Sequence, residues 1–267
     1  MIQKIKEATK FLQEHTNHFV PQTGIILGTG LGGLVKHIEI EYTVDYGLIP
    51  HFPVSTVEGH SGRLIFGRLG GRRVVAMQGR FHYYEGYTTQ QVVFPVRVMK
   101  FLGIEQLFVS NASGGMNTSF RVGDLMVITD HINLIPNPLI GPNIDELGPR
   151  FPDMKHAYDP QLIKLASEIA AQENIKLQYG CYVGLTGPTF ETPMEYHYVK
   201  AIGGDAVGMS TTPEIIAARH MGLPCFGMSI ITDLASDDSV SHEEVQKQGA
   251  FAEEKMSALF LRMLKQL

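Results

Sequence analysis

The sequence predicts an α/β fold, a β-sheet covered by helices. Three observations carry this. Short apolar runs bounded by glycine alternate with helical periodicities along most of the chain. Helix starts of the threonine–proline and S-x-x-E kinds recur in the second half. The first apolar run, Ile25-Ile26-Leu27, feeds a glycine-rich turn, "GTGLGG".

Taken in order, Ile2, Ile5, Ala8 and Leu12 share helical spacing and predict a surface helix over 2–15. "GIIL" reads as a short buried strand. "RLIFGRL" and "RRVVAMQ" read as two strands joined at Gly70-Gly71. A helix is expected over 89–102, started or kinked by Pro95. "QLFVSN" is a strand ending in "ASGG", expected as a strand–helix turn, and "DLMVITDHINL" is another strand. The stretch 134–153, rich in Pro, Gly and Asn, reads as a long loop of the kind that often carries function. A helix over 160–175, the strand "KLQYGCYVGLTG", a helix near 193–202 and the strand "DAVGMS" follow. A helix near 213–221, the strand "CFGMSIIT" and a final helix over 242–265 close the chain. Capping boxes are legible at Thr192–Glu195 and Ser241–Glu244, and Thr212-Pro213 marks a third start. No repeat, low-complexity run or linker divides the chain, so one domain over 1–267 is expected.

Composition narrows the function. The 267 residues are 44% hydrophobic and 18% charged, an ordinary globular balance. A net charge of −5 argues against a nucleic-acid or anionic-membrane surface, so any anion site must be a local cluster of donors. Two cysteines outside any C-x-x-C pair argue against a disulfide framework and a cysteine-based zinc site, and fit a reducing compartment. "MIQKIKEATKFLQEH" lacks the apolar core of a signal peptide, and no stretch suits a bilayer. A cytoplasmic protein without metal or organic cofactor is expected.

Gly28, Gly30 and Gly33 match G-x-G-x-x-G. A dinucleotide site would need a βαβ unit and an acid about 20 residues on. The segment after Gly33 has room for a very short helix at most, and Asp45 comes too early. A plain tight turn and an anion nest, with Thr29 adding a hydroxyl, both stay open. In "QGRFHYYEGY", Arg80, His82 and Tyr84 would share one face if the chain stays extended, offering a fixed cation and a second donor to a phosphate. A polar edge strand would read the same way. Ser210 lies just ahead of a helix start, as an anion contact or a cap. Phe190 and Glu191 set an aromatic face beside a carboxylate, which suits a heterocycle with N–H donors or a core Phe beside a surface Glu.

Taken together, "ILGTGLGG", "GHSGRL", "GRFHYYEGY", "FPVRV", "NASGGMN", "GPTFET", "DAVGMSTTPE" and "HEEV" resemble the trimeric purine nucleoside phosphorylases from about residue 20 to the C-terminus. The resemblance implies a mixed, twisted, partly barrel-like sheet and a homotrimer. It implies phosphorolysis of inosine and guanosine, with inorganic phosphate as co-substrate. Phosphate would meet Thr29, His60, Arg80, His82, the Ala112 N–H and Ser210. Ribose would meet Tyr84, Met209, His242 and a neighbour's Phe151. The base would lie against Phe190 and Val207, with Glu191 and Asp233 at its polar edge. Asp233, Glu191, His82 and His242 are the implied catalytic groups.

Asp233 departs from the pattern, because family members that cleave 6-oxopurines generally carry asparagine there. An ionised carboxylate only accepts hydrogen bonds, whereas an amide also donates. Asp233 either holds a proton for N7 in a dry pocket or accepts from a 6-amino group and widens the range to adenosine. It would otherwise be a turn residue ahead of a helix. Glu191 favours the N1–H of a 6-oxopurine, and two carboxylates on one base raise at least one pKa. Three rivals remain. A methylthioadenosine phosphorylase would explain Asp233 but not Glu191. A serine hydrolase is suggested by "GHSG", although Arg63 stands where the last glycine of its motif belongs. A non-catalytic purine-binding module is the third.

Overall fold

The computed structural model describes residues 1–28, 32–54, 62–235 and 242–267, without the side chains of 242 and 244–251. Among the described residues, nine strands form one sheet, accompanied by seven α-helices. They are β1 (Thr23–Leu27), β2 (Glu39–Asp45), β3 (Arg63–Leu69), β4 (Arg72–Gln78), β5 (Gln106–Gly115), β6 (Leu125–Asn133), β7 (Leu177–Gly184), β8 (Ala206–Gly208) and β9 (Cys225–Leu234). The seven α-helices are α1 (Ile2–His15), α2 (Thr89–Val92), α3 (Phe94–Leu102), α4 (Pro160–Gln172), α5 (Pro193–Ala201), α6 (Thr212–His220) and α7 (His242–Gln266).

The strand order is β2-β3-β4-β1-β5-β8-β7-β6-β9, and β9 also pairs with β5. That second pairing closes β5, β8, β7, β6 and β9 into a barrel, with β2, β3, β4 and β1 as an open limb. The sheet is mixed: β1 runs parallel to β4 and β5, while β3 pairs antiparallel with β2 and β4. β1 lies between two strands and is buried throughout, which is why it reads as an unbroken apolar run.

β2 was not legible in the sequence. It sits at the edge of the limb, pairs only with β3, and buries Val44 alone among Glu39, Glu41 and Asp45. Charges of this kind blunt an edge and erase the apolar alternation. The helix expected over 89–102 breaks at Val93, with Pro95 in the first turn of α3. "ASGG" is not a turn. Gly114 and Gly115 pair with Asp233 and Leu234 on one side and with Val207 and Ala206 on the other. A Cβ on Gly114 would lie 2.9 Å from the Asp233 carboxylate, so glycine here makes room for a crossing side chain.

Apolar side chains fill both faces of the sheet. In α7, Ala252, Met256, Leu259, Phe260, Met263 and Leu264 are buried at helical spacing against Phe108, Phe226 and their neighbours. The C-terminal ends of β5 and β9 and the start of α6 meet at one end of the barrel, where a cavity opens.

Candidate active site

A cavity of about 370 Å³ is lined by Arg80, His82, Tyr84, Ala112, Phe190, Glu191, Val207, Met209, Ser210 and Asp233, among others. The sequence scatters these residues over more than 150 positions, and the barrel brings them together.

Arg80 follows β4 and is buried. Its Nε and Nη2 donate to the two carboxylate oxygens of Glu214 at 3.1 and 2.5 Å, and its Nη1 donates to the Ser110 carbonyl at 2.7 Å. Glu214 lies in the first turn of α6 and is equally buried. A guanidinium removed from water needs such a partner, and the two-pronged pair locks its plane. The sequence signal for Glu214 was the acid in the first turn of a helix, but its partner is 134 residues away.

The chain after Arg80 does not stay extended. Residues 83–85 form a 3-10 turn, and Glu85 closes it: Glu85 Oε1 accepts from the His82 backbone N–H at 2.8 Å and lies 2.9 Å from His82 Nδ1. The shared face expected from an extended strand is thus corrected, although Arg80, His82 and Tyr84 still line the same cavity. Tyr84 reaches it by stacking on the His82 ring, with centroids 4.6 Å apart. Burial lowers the His82 pKa below its ordinary 6.5, against the opposing pull of Glu85. Burial, with Glu85 adding, raises the Tyr84 hydroxyl to about 12.

Ser210 Oγ lies 3.1 Å from Thr211 Oγ1, and its backbone N–H donates to Tyr182 Oη at 3.3 Å. Thr212 was expected to open α6 as its cap. Instead its hydroxyl donates to Asn133 Oδ1 at 2.6 Å from the first helical position.

Phe190, 42% exposed, lines the same cavity. Thr192, just beyond Glu191, caps α5 through the expected box with Glu195. Burial raises the Glu191 pKa, and the Asp233 charge raises it further. Asp233 is part of strand β9, not a turn residue, and its Oδ1 accepts from Thr232 Oγ1 at 2.9 Å.

The glycine turn is anchored at both ends. A Cβ on Gly28 would crowd the backbone of Ser110 and Asn111 and lie 3.3 Å from Arg80 Nη1. At Gly33 the backbone N–H donates to the carboxylate of Glu253 from α7, which also occupies the space a Cβ would need. Burial raises the Glu253 pKa, against the lowering effect of the Gly33 and Leu34 amides. A 3-10 turn over Gly32–His37 and edge strand β2 follow. No βαβ unit forms, and the third glycine of the motif serves an internal carboxylate.

Phe151 is 87% exposed on the proline-rich loop and does not line its own chain's cavity. Thr29, His60, Ser61 and the Ser241 capping box lie outside the described residues, and of His242 only the backbone, at the start of α7, is described. Sequence reasoning missed Glu85, Asn111, Thr211, Glu214 and Glu253, each of which acts through a partner distant in sequence or through a local turn.

Comparison with known proteins agrees with this geometry. Residues 22–265 match the family model described as the phosphorylase superfamily. Purine nucleoside phosphorylase 1 of Bacillus subtilis is 51% identical over 99% of this chain and 97% of its own length. The purine nucleoside phosphorylase of Bos taurus is 50% identical over 94% and 90%. The structure of the Schistosoma mansoni purine nucleoside phosphorylase in complex with adenosine superposes with a TM-score of 0.94 at 43% identity, covering 100% of this chain and 98% of that one. A structure of a Schistosoma purine nucleoside phosphorylase in complex with hypoxanthine matches equally well, with a TM-score of 0.94, 43% identity and coverage of 100% and 98%. The chain therefore belongs to the phosphorylase superfamily and, within it, to the purine nucleoside phosphorylases.

Proposed function

We propose that this enzyme cleaves inosine and guanosine, and their 2′-deoxy forms, with inorganic phosphate, releasing the free purine and (deoxy)ribose 1-phosphate. One observation carries this reading: Arg80, His82 and Ser210 line the same cavity as Phe190, Glu191 and Asp233. A cation and hydroxyls suited to an oxyanion thus share one cavity with an aromatic face and carboxylates suited to a heterocycle.

Phosphate sits at the Arg80 end, held by Arg80, His82, Ser210 and the Ala112 N–H; the family resemblance adds Thr29 and His60, which lie outside the described residues. Fixing it beneath the anomeric carbon turns an encounter in solution into a reaction within one complex. The glycosidic bond breaks through an oxocarbenium-like state, and the phosphate dianion stabilises its positive charge. Tyr84, Met209 and His242 hold the ribose. Phe190 and Val207 flank the purine. Glu191 accepts from N1–H of a 6-oxopurine, and its raised pKa reflects the cost of keeping that carboxylate in a half-buried site. Asp233 meets the N7 side, where the departing purine gathers negative charge and needs a donor. Thr232 occupies one of its oxygens, Oδ1.

The active unit is a homotrimer in which the exposed Phe151 reaches a neighbour's ribose site, and no organic cofactor or metal takes part. The free cysteines, Cys181 and Cys225, fit a cytoplasmic setting. The test is hypoxanthine release from inosine with and without phosphate. Strict phosphate dependence is expected. Release without phosphate would indicate a hydrolase, and no release a binding protein.

A further inference from the structure

Thr211 has no part in the chemistry above, yet its backbone is strained. It has φ +67° and ψ −54°, and the Thr212 N–H donates to the Ser210 carbonyl at 2.7 Å, which makes 210–212 a γ-turn of the unfavourable hand. The other non-glycine residues with positive φ among those described are Asn and His. Asn and His tolerate that region, whereas a β-branched threonine does not. Such a conformation persists only where its surroundings hold it.

The holding contacts form a chain. Ser229 Oγ donates to Asn111 Oδ1 at 2.7 Å, and Asn111 Nδ2 donates to Thr211 Oγ1 at 2.9 Å. Arg80 Nη2 approaches the same oxygen at 3.5 Å, and Ser210 Oγ lies 3.1 Å from it. Ser229, Asn111 and Thr211 are buried, so water does not compete. A hydroxyl has one hydrogen. With Asn111 Nδ2 and Arg80 Nη2 both donating to Thr211 Oγ1, its two lone pairs are engaged, and its contact with Ser210 Oγ is the one its own hydrogen can serve. Ser210, which lines the cavity and whose side chain also hydrogen-bonds Tyr182, can then turn its own hydrogen toward a ligand oxygen there. In extended backbone, adjacent side chains point to opposite faces. The γ-turn instead folds two neighbouring hydroxyls together.

We propose that Thr211 is a positioning residue, the central link of a one-way hydrogen-bond chain from Ser229 through Asn111 that presents Ser210 as a donor to a phosphate oxygen. This rests on phosphate binding at the Arg80 end. The strain at Thr211 is what aligns the last two links.

The test compares wild type with Thr211→Val, which keeps the shape and loses the hydroxyl, and with Thr211→Ser, which keeps it. Ser229→Ala cuts the chain at its far end. For each, the KM for phosphate and for inosine are measured, together with thermal unfolding. Loss of one charge-assisted hydrogen bond predicts a phosphate KM about tenfold higher in Thr211→Val, with inosine KM within about twofold of wild type. Thr211→Ser is expected to restore phosphate KM to within about threefold, and Ser229→Ala to raise it by a smaller factor than Thr211→Val. An unchanged phosphate KM in Thr211→Val, equal rises in both KM values, or no rescue by serine would overturn the proposal. Should Thr211→Val not fold, an unchanged phosphate KM in folded Ser229→Ala overturns it. Wild-type turnover indifferent to phosphate overturns the phosphate reading and the chain with it. Phosphate-dependent wild type with an unaffected Thr211→Val overturns the chain alone.

Discussion

At the Arg80 end of the cavity the polar side chains are buried and bonded to one another, whereas at the Phe190 end an aromatic ring is 42% exposed beside a half-buried carboxylate. On the proposed function, the contrast follows from what each end must hold. A phosphate dianion loses a large hydration energy on binding, and only donors already fixed in place can replace it without further reorganisation. Glu214, Ser110, Asn111 and Thr211 supply that fixity before any ligand arrives. A purine is held largely by its faces, through contacts that need area more than direction. That end can stay open until substrate covers it.

The largest expected effect breaks the phosphate end. Arg80→Met should lower kcat/KM for phosphate by roughly a thousandfold or more, since it removes the principal cation facing the transferred anion. It should also destabilise the fold by about 3–5 kcal/mol, because Glu214 is left buried without its partner. Adding Glu214→Leu should recover most of that stability in urea unfolding and none of the activity. If stability is not recovered, the pair is not the framework of this end.

At the base end, Glu191→Gln should lower kcat/KM for inosine by about a hundredfold while leaving phosphate KM nearly unchanged, as expected when a carboxylate partner of a substrate N–H is lost. A comparable change in phosphate KM would show that the two ends are coupled and would erase the contrast. Asp233→Asn has a smaller expected effect: it keeps or raises 6-oxopurine turnover, because an amide still donates toward N7. Assays on inosine and adenosine side by side check this, and complete loss on inosine would assign proton donation to the Asp233 carboxyl.

The smallest effect is on stability against pH. Burial holds His82 and His131 below the ordinary imidazole pKa of 6.5. The unfolded chain therefore binds more protons than the folded one as pH falls through about 6.5, and stability declines over that window. Thermal unfolding from pH 7.5 to 5.5 should show the decline, and His131→Gln, away from the cavity, should flatten its slope. A flat profile in the wild type would show that neither ring is desolvated.

Much of the fold was legible because local rules agreed with the tertiary outcome. β1, β3, β4, α1 and α7 match their expected spans closely, and the Thr192 box caps α5 as its spacing requires. Strand β2 was not legible, since its pairing with β3 stabilises a segment whose own pattern is polar. Arg80, His82, Ser210, Phe190 and Glu191, which share the cavity, could be picked out by residue type and motif. Their supports could not, because Glu214 and Glu253 matter only through contacts 134 and 220 residues away.

The amino-acid sequence by itself determined most of the segments that become strands and helices, which side chains carry charge or an aromatic face, and which family the chain resembles. These depend on periodicity, caps and residue chemistry, all of them local. Only the tertiary structure decided that β9 returns to β5 and closes a barrel, that Asp233 lies in a strand facing Gly114, and that Thr211 is forced into a left-handed turn beside Arg80. Those outcomes arise from pairing and burial between segments far apart in the chain, where the free energy belongs to the contact and not to either partner alone.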